Sequence, residues 1–261
     1  MTVTPHTTNR LANIKKMEMR LILALIAGSL TLASIGQDTL YFNKNDDTVF
    51  SNQHAHKYEV IFRDINDTNI VLSKTYYISG QIYSEGKYNP YSEKEKQGLW
   101  KEWYESGQLK SEKNYENGIM NGQLLTYWED GQIKRQDFYD YGDLTKGKVW
   151  NEKGKKVKYY NYIILPKFKG GINNLFNYLR RNVQYPSISK NLGIQGRVVV
   201  QFVIEKDGKV SNVIVLESVN KELDEEAIRV LNNMPAWSPG LIDGETVRMS
   251  FNLPIKFTLG N

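Results

Sequence analysis

The chain has 261 residues with a formal net charge of +5, and 40% of its residues are hydrophobic. This length allows two modest domains, each with its own hydrophobic core, and the composition excludes a disordered polar chain. The absence of cysteine excludes disulfides, thiolate metal sites and lipidated cysteines, so cysteine usage gives no information about the redox compartment.

The first 36 residues have the pattern of a secretory signal peptide. Basic residues precede an apolar run at 21–35, which ends in small residues around Ser34 and Gly36. The alternative is an uncleaved membrane anchor, but the run is shorter than the roughly 20 apolar residues of a spanning helix. We expect cleavage near Gln37 and a periplasmic protein, with attachment to the inner membrane as the alternative if 21–35 is retained.

The charge of the mature chain argues against nucleic acid binding. Cleavage of residues 1–36 would lower the formal net charge by three, to +2. Because such a surface is nearly balanced, we expect no nucleic acid partner. One local basic run, at 146–158, is interpreted as a solvated hairpin, with an anion-binding patch as the alternative.

A repeat of 24 residues occupies the middle of the chain. Seven residues between Gly98 and Gly118 recur as identical or similar residues between Gly122 and Gly142. In each copy, short aromatic segments flank Ser-Gly, Asp-Gly or Lys-Gly pairs, which supply the positive φ of a tight turn. Such units bury their apolar faces only by stacking, so we predict an all-β domain of stacked hairpins over 37–165.

The spacing Gly-x-x-x-x-aromatic-aromatic-x-x-Gly, clearest over Gly98 to Asp143, resembles the MORN-variant repeats of the family named for the YwqK antitoxin. This resemblance implies an interaction scaffold without chemistry of its own, whose partner would be an envelope component. The aromatic residues themselves are interpreted as sheet core, because cross-strand aromatic pairs commonly stabilise sheets.

Residues 166–261 begin with the pattern of a helix followed by a hairpin. Apolar residues from Ile172 to Val183 recur at helical spacing and predict one buried helix face. The Tyr185-Pro186 pair stops this helix. From Gly196 onward apolar and polar residues alternate up to the Asp207-Gly208 pair, which predicts two strands joined by a tight turn.

A second helix and a last strand complete this domain. The helix opens with acidic residues near Glu222, which suits the positive end of the helix dipole, and ends at Pro235. Pro239-Gly240 is predicted to turn the chain so that Trp237 folds back as a core plug, with ligand stacking as the alternative. The predicted fold is α+β, in the order α-β-β-α-β, with an antiparallel sheet covered by both helices on one face.

The last strand, Val247 to Phe257, alternates apolar and polar residues. Pro254 has no N–H, and prolines within strands are largely confined to sheet edges. If the strand is regular, Arg248, Ser250 and Asn252 direct their backbone groups outward, as Pro254 does. An incoming strand could then pair with them, and pairing should fail at Pro254. The alternative is that the charged residues and the proline prevent edge pairing.

Several separated motifs in this region resemble the C-terminal domain of TonB, in the form common among Bacteroidetes. They are "YPSISKNLGIQGRVVVQFVIEKDGKVSNVIVLES", "LDEEAIRVLNNMPAWSPG", "DGETV" and "LPIKF". The resemblance implies a periplasmic domain that binds the TonB box of outer-membrane receptors by strand addition along its last strand. We assign partner binding to Thr246, Val247, Arg248, Met249, Ser250, Phe251 and Asn252, and structural roles to Tyr185, Pro186, Gly196, Trp237, Pro239 and Gly240.

The segment before this domain departs from the TonB pattern. A complete energy transducer would have an uncleaved membrane helix, to couple with the ExbB and ExbD motor, and a long Pro-rich spacer. Only Pro90 and Pro166 fall between residues 37 and 166, where the repeats lie. The resemblance therefore supports binding of a receptor or another protein, with an envelope adaptor that transduces no force as the alternative. The oligomeric state, a homodimer included, stays open.

Motifs of enzyme chemistry are missing from the sequence. It has no Gly-x-Ser-x-Gly elbow, phosphate-binding Gly-rich loop, His-Glu-x-x-His or cysteine nucleophile. His54 and His56 can present two imidazoles on one strand face, but zinc needs three or four ligands and nothing nearby has the spacing. We therefore expect a protein that is not an enzyme and that uses no metal or cofactor.

Overall fold

The computed structural model describes residues 38–45, 47–49, 52–63, 69–89 and 94–259. The predicted signal peptide, and the membrane anchor that is its alternative, lie outside these ranges. Among the helices within them, none combines the length and the apolar character needed to cross a membrane.

Within the described residues, the part of the chain from 38 to 157 forms one antiparallel sheet of eleven strands. The strands are β1 (Asp38–Phe42), β2 (Thr48–Val49), β3 (Lys57–Arg63), β4 (Val71–Tyr77), β5 (Ile82–Tyr88), β6 (Lys96–Trp103), β7 (Leu109–Glu116), β8 (Ile119–Tyr127), β9 (Ile133–Asp140), β10 (Asp143–Trp150) and β11 (Lys156–Val157). From β3 to β11 each strand pairs with the next along the chain, whereas β1 lies beside β3 and β2 lies at the edge. We call this the repeat sheet; it confirms the predicted all-β region.

The two copies of the repeat form matching hairpins, β6–β7 and β8–β9. Gly107 and Gly131, at equivalent turn positions, both have a φ of +87°, which favours glycine. The N–H of Tyr104 donates to the carbonyl of Gln108 at 2.9 Å, and the equivalent Trp128 closes its turn in the same way. The predicted hairpins are confirmed, while the resemblance to MORN-variant repeats stays a prediction.

The covered face of the repeat sheet is polar, whereas the sequence predicted apolar faces buried by stacking. One row of cross-strand neighbours consists of Ser84, Glu102, Ser111, Thr126 and Arg135. The hairpins lie side by side in one sheet, so within the described residues no hairpin stacks on the face of another. The C-terminal part of the chain covers this face. Some covered polar groups bond to each other, as Ser111 does to Glu102, and others bond to the C-terminal part, as Thr126 and Arg135 do, since buried polar groups need partners.

The C-terminal part contains, within the described residues, three α-helices and two small antiparallel sheets. The helices are α1 (Ile172–Asn182), α2 (Ser187–Asn191) and α3 (Lys221–Asn232), and the strands are β12 (Ile163–Ile164), β13 (Gly196–Ile204), β14 (Val210–Glu217), β15 (Gly240–Ile242), β16 (Glu245–Val247) and β17 (Met249–Phe257). The strand orders are β14-β13-β17 and β12-β15-β16. Although β12 precedes residue 166, it pairs with β15.

The core of this part lies between the β14-β13-β17 sheet and the helices. Alternate residues of β13, from Val198 to Ile204, are buried in one cluster with Leu175 of α1 and Leu231 of α3. Both helices therefore cover the same face of the sheet, which confirms the predicted α+β fold.

The prediction of a single last strand is wrong. Strand β16 ends at Val247 and β17 begins at Met249, and the two belong to different sheets. Arg248 lies between them, where the chain passes from one sheet to the other. The alternating pattern runs through this break because both strands have the same period of two.

The predicted turn at Pro239-Gly240 is also wrong. Gly240 begins β15, and the tight turn follows at Asp243 and Gly244, which have φ values of 52° and 85°. Gly240 instead lies at a close contact, because a Cβ there would lie 2.6 Å from the Sδ of Met249 and 3.0 Å from the Cδ of Pro166.

The apolar face predicted for the first helix is only partly buried. Leu175 lies in the core, but Ile172 and Phe176 are 60% and 58% exposed. The helix contacts the core along a narrow stripe, since α3 already covers part of the sheet. The short helix α2 was not predicted; Pro186 is its N-cap residue and has extended backbone angles, as N-cap residues typically do.

Candidate partner-binding edge

Strand β17 is an edge of its sheet. It pairs with β13 and, within the described residues, with no other strand. The pairing runs without a bulge from Gly196 opposite Phe257 to Ile204 opposite Met249. A regular edge of this kind presents a row of free backbone groups, which is a template for an incoming strand.

The alternation of the ladder decides which backbone groups of β17 are free. In an antiparallel pair of strands, hydrogen-bonded and non-hydrogen-bonded residue pairs alternate. Pro254 lies opposite Val199 and has no N–H to donate, so it suits a non-hydrogen-bonded pair. Ser250 and Asn252 have the same parity as Pro254. Their N–H and C=O groups therefore point away from β13, and their side chains are exposed.

The opposite edge, β14, is a poorer template. Its register with β13 shifts twice, between Val199 and Val200 and between Gln201 and Val203. Asn212, on β14, has a positive φ of 48°. Such irregularities twist an edge and interrupt its row of free groups, which disfavours strand addition.

The side chain of Arg248 holds the start of β17 against the repeat sheet. Its Nε donates to Oε2 of Glu205 at 2.9 Å, and its Nη1 donates to the carbonyl of Asn45, in the β1–β2 turn, at 2.9 Å. The hydrogen bond to Glu205 raises the pKa of Arg248. Burial alone would raise the pKa of Glu205, but bonds from Ser211 and Arg248 lower it overall. The guanidinium of Arg248 is thus occupied within the protein.

The other residues assigned to partner binding differ in their surroundings. Thr246 and Val247 belong to β16, which pairs with β15 in the other sheet. The side chains of Met249 and Phe251 are half-buried. Met249 lies against Gly240, whereas Phe251 packs on the core, where its ring centroid lies 6.2 Å from that of Phe202. The free backbone of β17 is therefore concentrated at Ser250 and Asn252.

Trp237 lies in the core beside this edge. Its ring centroid is 5.3 Å from that of Phe168, in an edge-to-face arrangement, and 6.3 Å from that of Phe251. The chain after it is extended through Pro239 into β15.

The remaining residues with assigned structural roles lie near the ends of elements. The hydroxyl of Tyr185 donates to the carbonyl of Ile194, and Pro186 precedes α2. Gly196 begins β13 at a point of close approach, because a Cβ there would lie 2.7 Å from Cγ2 of Val219. In the described part of the chain, no group of three or more potential metal ligands comes together.

A buried ion-pair cluster, which the sequence did not predict, joins the two parts of the chain. At the tip of the β15–β16 hairpin, Asp243 accepts from Nε of Arg135 and from the hydroxyl of Thr126, each at 2.7 Å. Lys134 lies 3.3 Å from the same carboxylate, and Arg135 also pairs with Asp137 at 2.8 Å. Burial alone would lower the pKa of Arg135, but the bonds to Asp243 and Asp137 raise it. In the sequence these charged residues look like ordinary surface residues, and only the folded structure shows that they are buried and paired.

Residues 181–259 match the family model described as Gram-negative bacterial TonB protein C-terminal. Two solution structures of the Helicobacter pylori TonB C-terminal domain are similar to part of this chain. The first is 21% identical, covers 36% of this chain and 90% of that chain, and has a TM-score of 0.27. The second is 24% identical, covers 33% of this chain and 90% of that chain, and has a TM-score of 0.26. A search of curated proteins finds no match.

Proposed function

We propose that this protein binds an extended segment of a TonB-dependent outer-membrane receptor, which adds to the free edge of β17. The match of residues 181–259 to the TonB C-terminal family supports this class of partner, and the family is one of non-enzymatic interaction domains. The setting that we propose is the periplasm, with residues 1–36 as the export signal.

The observation that carries this proposal is the regular, exposed edge at Ser250 and Asn252. This edge ends on one side at Pro254, which has no N–H. On the other side it ends at Arg248, whose side chain is hydrogen-bonded within the protein. A segment added here would bond to the N–H and C=O groups of two residues, so its affinity would also depend on its side chains.

Replacement of Asn252 by proline is expected to weaken receptor-peptide binding by about tenfold or more, because it removes an outward N–H and adds ring bulk. The ladder with β13 should persist, since native Pro254 has the same parity. The measurement is isothermal titration calorimetry with synthetic peptides that cover the N-terminal segments of TonB-dependent receptors.

Two variants serve as controls for Asn252→Pro. Asn252→Ala keeps the backbone N–H and should lose far less affinity, whereas Lys256→Pro lies beyond Pro254 and should bind as the parent does. Thermal unfolding would verify that each variant is folded. Equal affinities of Asn252→Pro and the parent would rule out strand addition at this edge.

An adaptor that transduces no force is a second candidate function, and the bonds of Asp243 to the repeat sheet favour it. They hold the two parts of the chain together where a transducer has an extended spacer. We expect the native protein to begin near residue 37 and to fractionate with soluble periplasmic proteins. An inner-membrane protein that retains residues 21–35 would instead favour energy transduction.

A further inference from the structure

A cavity of about 510 Å³ lies between the covered face of the repeat sheet and the C-terminal part of the chain. Strands β6 to β8 form its floor, and residues of the β15–β16 hairpin form the opposite wall. Sites for small ligands and peptide side chains commonly have volumes in this range and often lie between domains. The proposed function makes no use of this cavity.

Every acidic side chain that lines the cavity already has a cationic partner. Glu102 accepts from Nζ of Lys113 at 2.8 Å, and Asp243 is bonded in the ion-pair cluster described above. Glu245 lies 3.8 Å from Lys110. The acidic groups of the wall are thus neutralised from within the protein.

Three further lysines line the cavity, namely Lys44, Lys96 and Lys206. Within the described residues, none of them forms an ion pair with a carboxylate. The ammonium of Lys96 lies 4.4 Å from the centroid of the Trp100 ring, and burial and then the nearby charge of Lys113 lower its pKa. The cavity therefore has a surplus of positive charge that a ligand carboxylate would offset.

The cavity and the free edge of β17 meet at Arg248. This residue lines the cavity and directly precedes Met249, the first residue of β17. Because a strand advances roughly 3.3 Å per residue, a segment paired with Ser250 would reach Arg248 within about two residues. Lys206 directly follows Glu205, the residue to which Arg248 is bonded, so a few more residues would bring the segment close to Lys206.

We propose that the segment added to β17 carries acidic side chains on the flank that passes Arg248, and that the cavity over the repeat sheet binds this flank. This inference rests on the proposed function and gives the repeats a part in partner selection. Charge complementarity of this kind would select among receptors whose strand-adding residues are similar.

The test uses three peptides that share the central residues of a receptor segment that binds. One carries two aspartates at its N-terminal flank, one carries them at its C-terminal flank, and one carries asparagines at both. We expect only one of the two acidic peptides to bind about fivefold more tightly than the asparagine peptide, since an added strand lies along β17 in one direction. Lys96→Gln and Lys206→Gln should each reduce that gain, whereas Lys153→Gln, in the β10–β11 turn outside the cavity, should not.

The outcomes separate this inference from the proposed function. Equal affinity of all three peptides, equal gain from either acidic flank, or an equal loss in Lys153→Gln would overturn the acidic-flank proposal and leave strand addition intact. If no receptor peptide binds, or if Asn252→Pro binds as the parent does, strand addition fails and the acidic-flank proposal fails with it.

Discussion

Replacement of Arg135 by methionine is expected to lower the free energy of unfolding by about 3–5 kcal/mol. Arg135 and Asp137 are both fully buried, and their side chains are paired at 2.8 Å. Without the guanidinium, the buried carboxylate of Asp137 would lose its cationic partner, and its Oδ1 already has no hydrogen-bond partner among the described residues. Asp243 would lose one of its bonds to the repeat sheet at the same time, while those to Thr126 and Lys134 would remain.

Urea unfolding followed by far-UV circular dichroism would measure this loss. The matched control is Arg197→Met, which breaks the pair with Glu217; both of these side chains are more than half exposed, at 60% and 58%. Since exposed ion pairs contribute little, this control should lose less than about 1 kcal/mol.

A double variant tests the cause of the loss. Arg135→Met with Asp137→Asn removes both buried charges, so part of the lost stability should return, because an unpaired buried charge costs more than a neutral group. If Arg135→Met loses no more than Arg197→Met, the ion-pair cluster does not stabilise the folded chain.

Replacement of Trp237 by alanine is expected to lower the free energy of unfolding by about 3–5 kcal/mol, since it leaves a large cavity in the core. The ring packs against Phe168, Phe202 and Phe251. The backbone of Trp237 also bonds to the turn at Gly208, where a Cβ would lie 2.0 Å from the Trp237 carbonyl oxygen. The ring and this backbone bond together hold the junction of β13, β14 and the chain after α3, so loss of the ring would loosen it.

The variant Trp237→Phe is expected to lose clearly less than Trp237→Ala, because it leaves a smaller cavity and most aromatic contacts remain. It also removes an indole N–H that is buried without a partner among the described residues. Thermal and urea unfolding would compare the two variants with the parent. A stable Trp237→Ala protein with weakened peptide binding would instead support a ligand-stacking role for Trp237.

The repeats were predictable because hairpins are specified locally. Turn glycines such as Gly107 and Gly131, with aromatic residues on both sides, fix the turn and the strand period over a few residues. Which face of the sheet would be covered, and by what, was not predictable. Ser111, Thr126 and Arg135 have the composition of a solvated face, yet they are buried because the C-terminal part lies over them.

In the C-terminal part, helical and alternating patterns predicted the main elements, and Pro254 predicted the edge position of β17. The break at Arg248 escaped detection because β16 and β17 share one alternation across a change of sheet. Proline and glycine at 239 and 240 indicated a turn, whereas Gly240 begins a strand and lies in close contact with Met249. Close contacts of this kind depend on residues distant in the sequence.

The sequence by itself determined the hairpin repeats, the α+β order of the C-terminal part and the parity of Ser250, Asn252 and Pro254 on the last strand. These features depend on local turn chemistry and on side-chain periods of two and about 3.6 residues. Only the tertiary structure decided that Asp243 bonds to Arg135 and that the free edge meets a positively charged cavity at Arg248. Arg135 and Asp243 are more than a hundred positions apart in the sequence. The energy of such a contact depends on burial, which no local sequence pattern predicts.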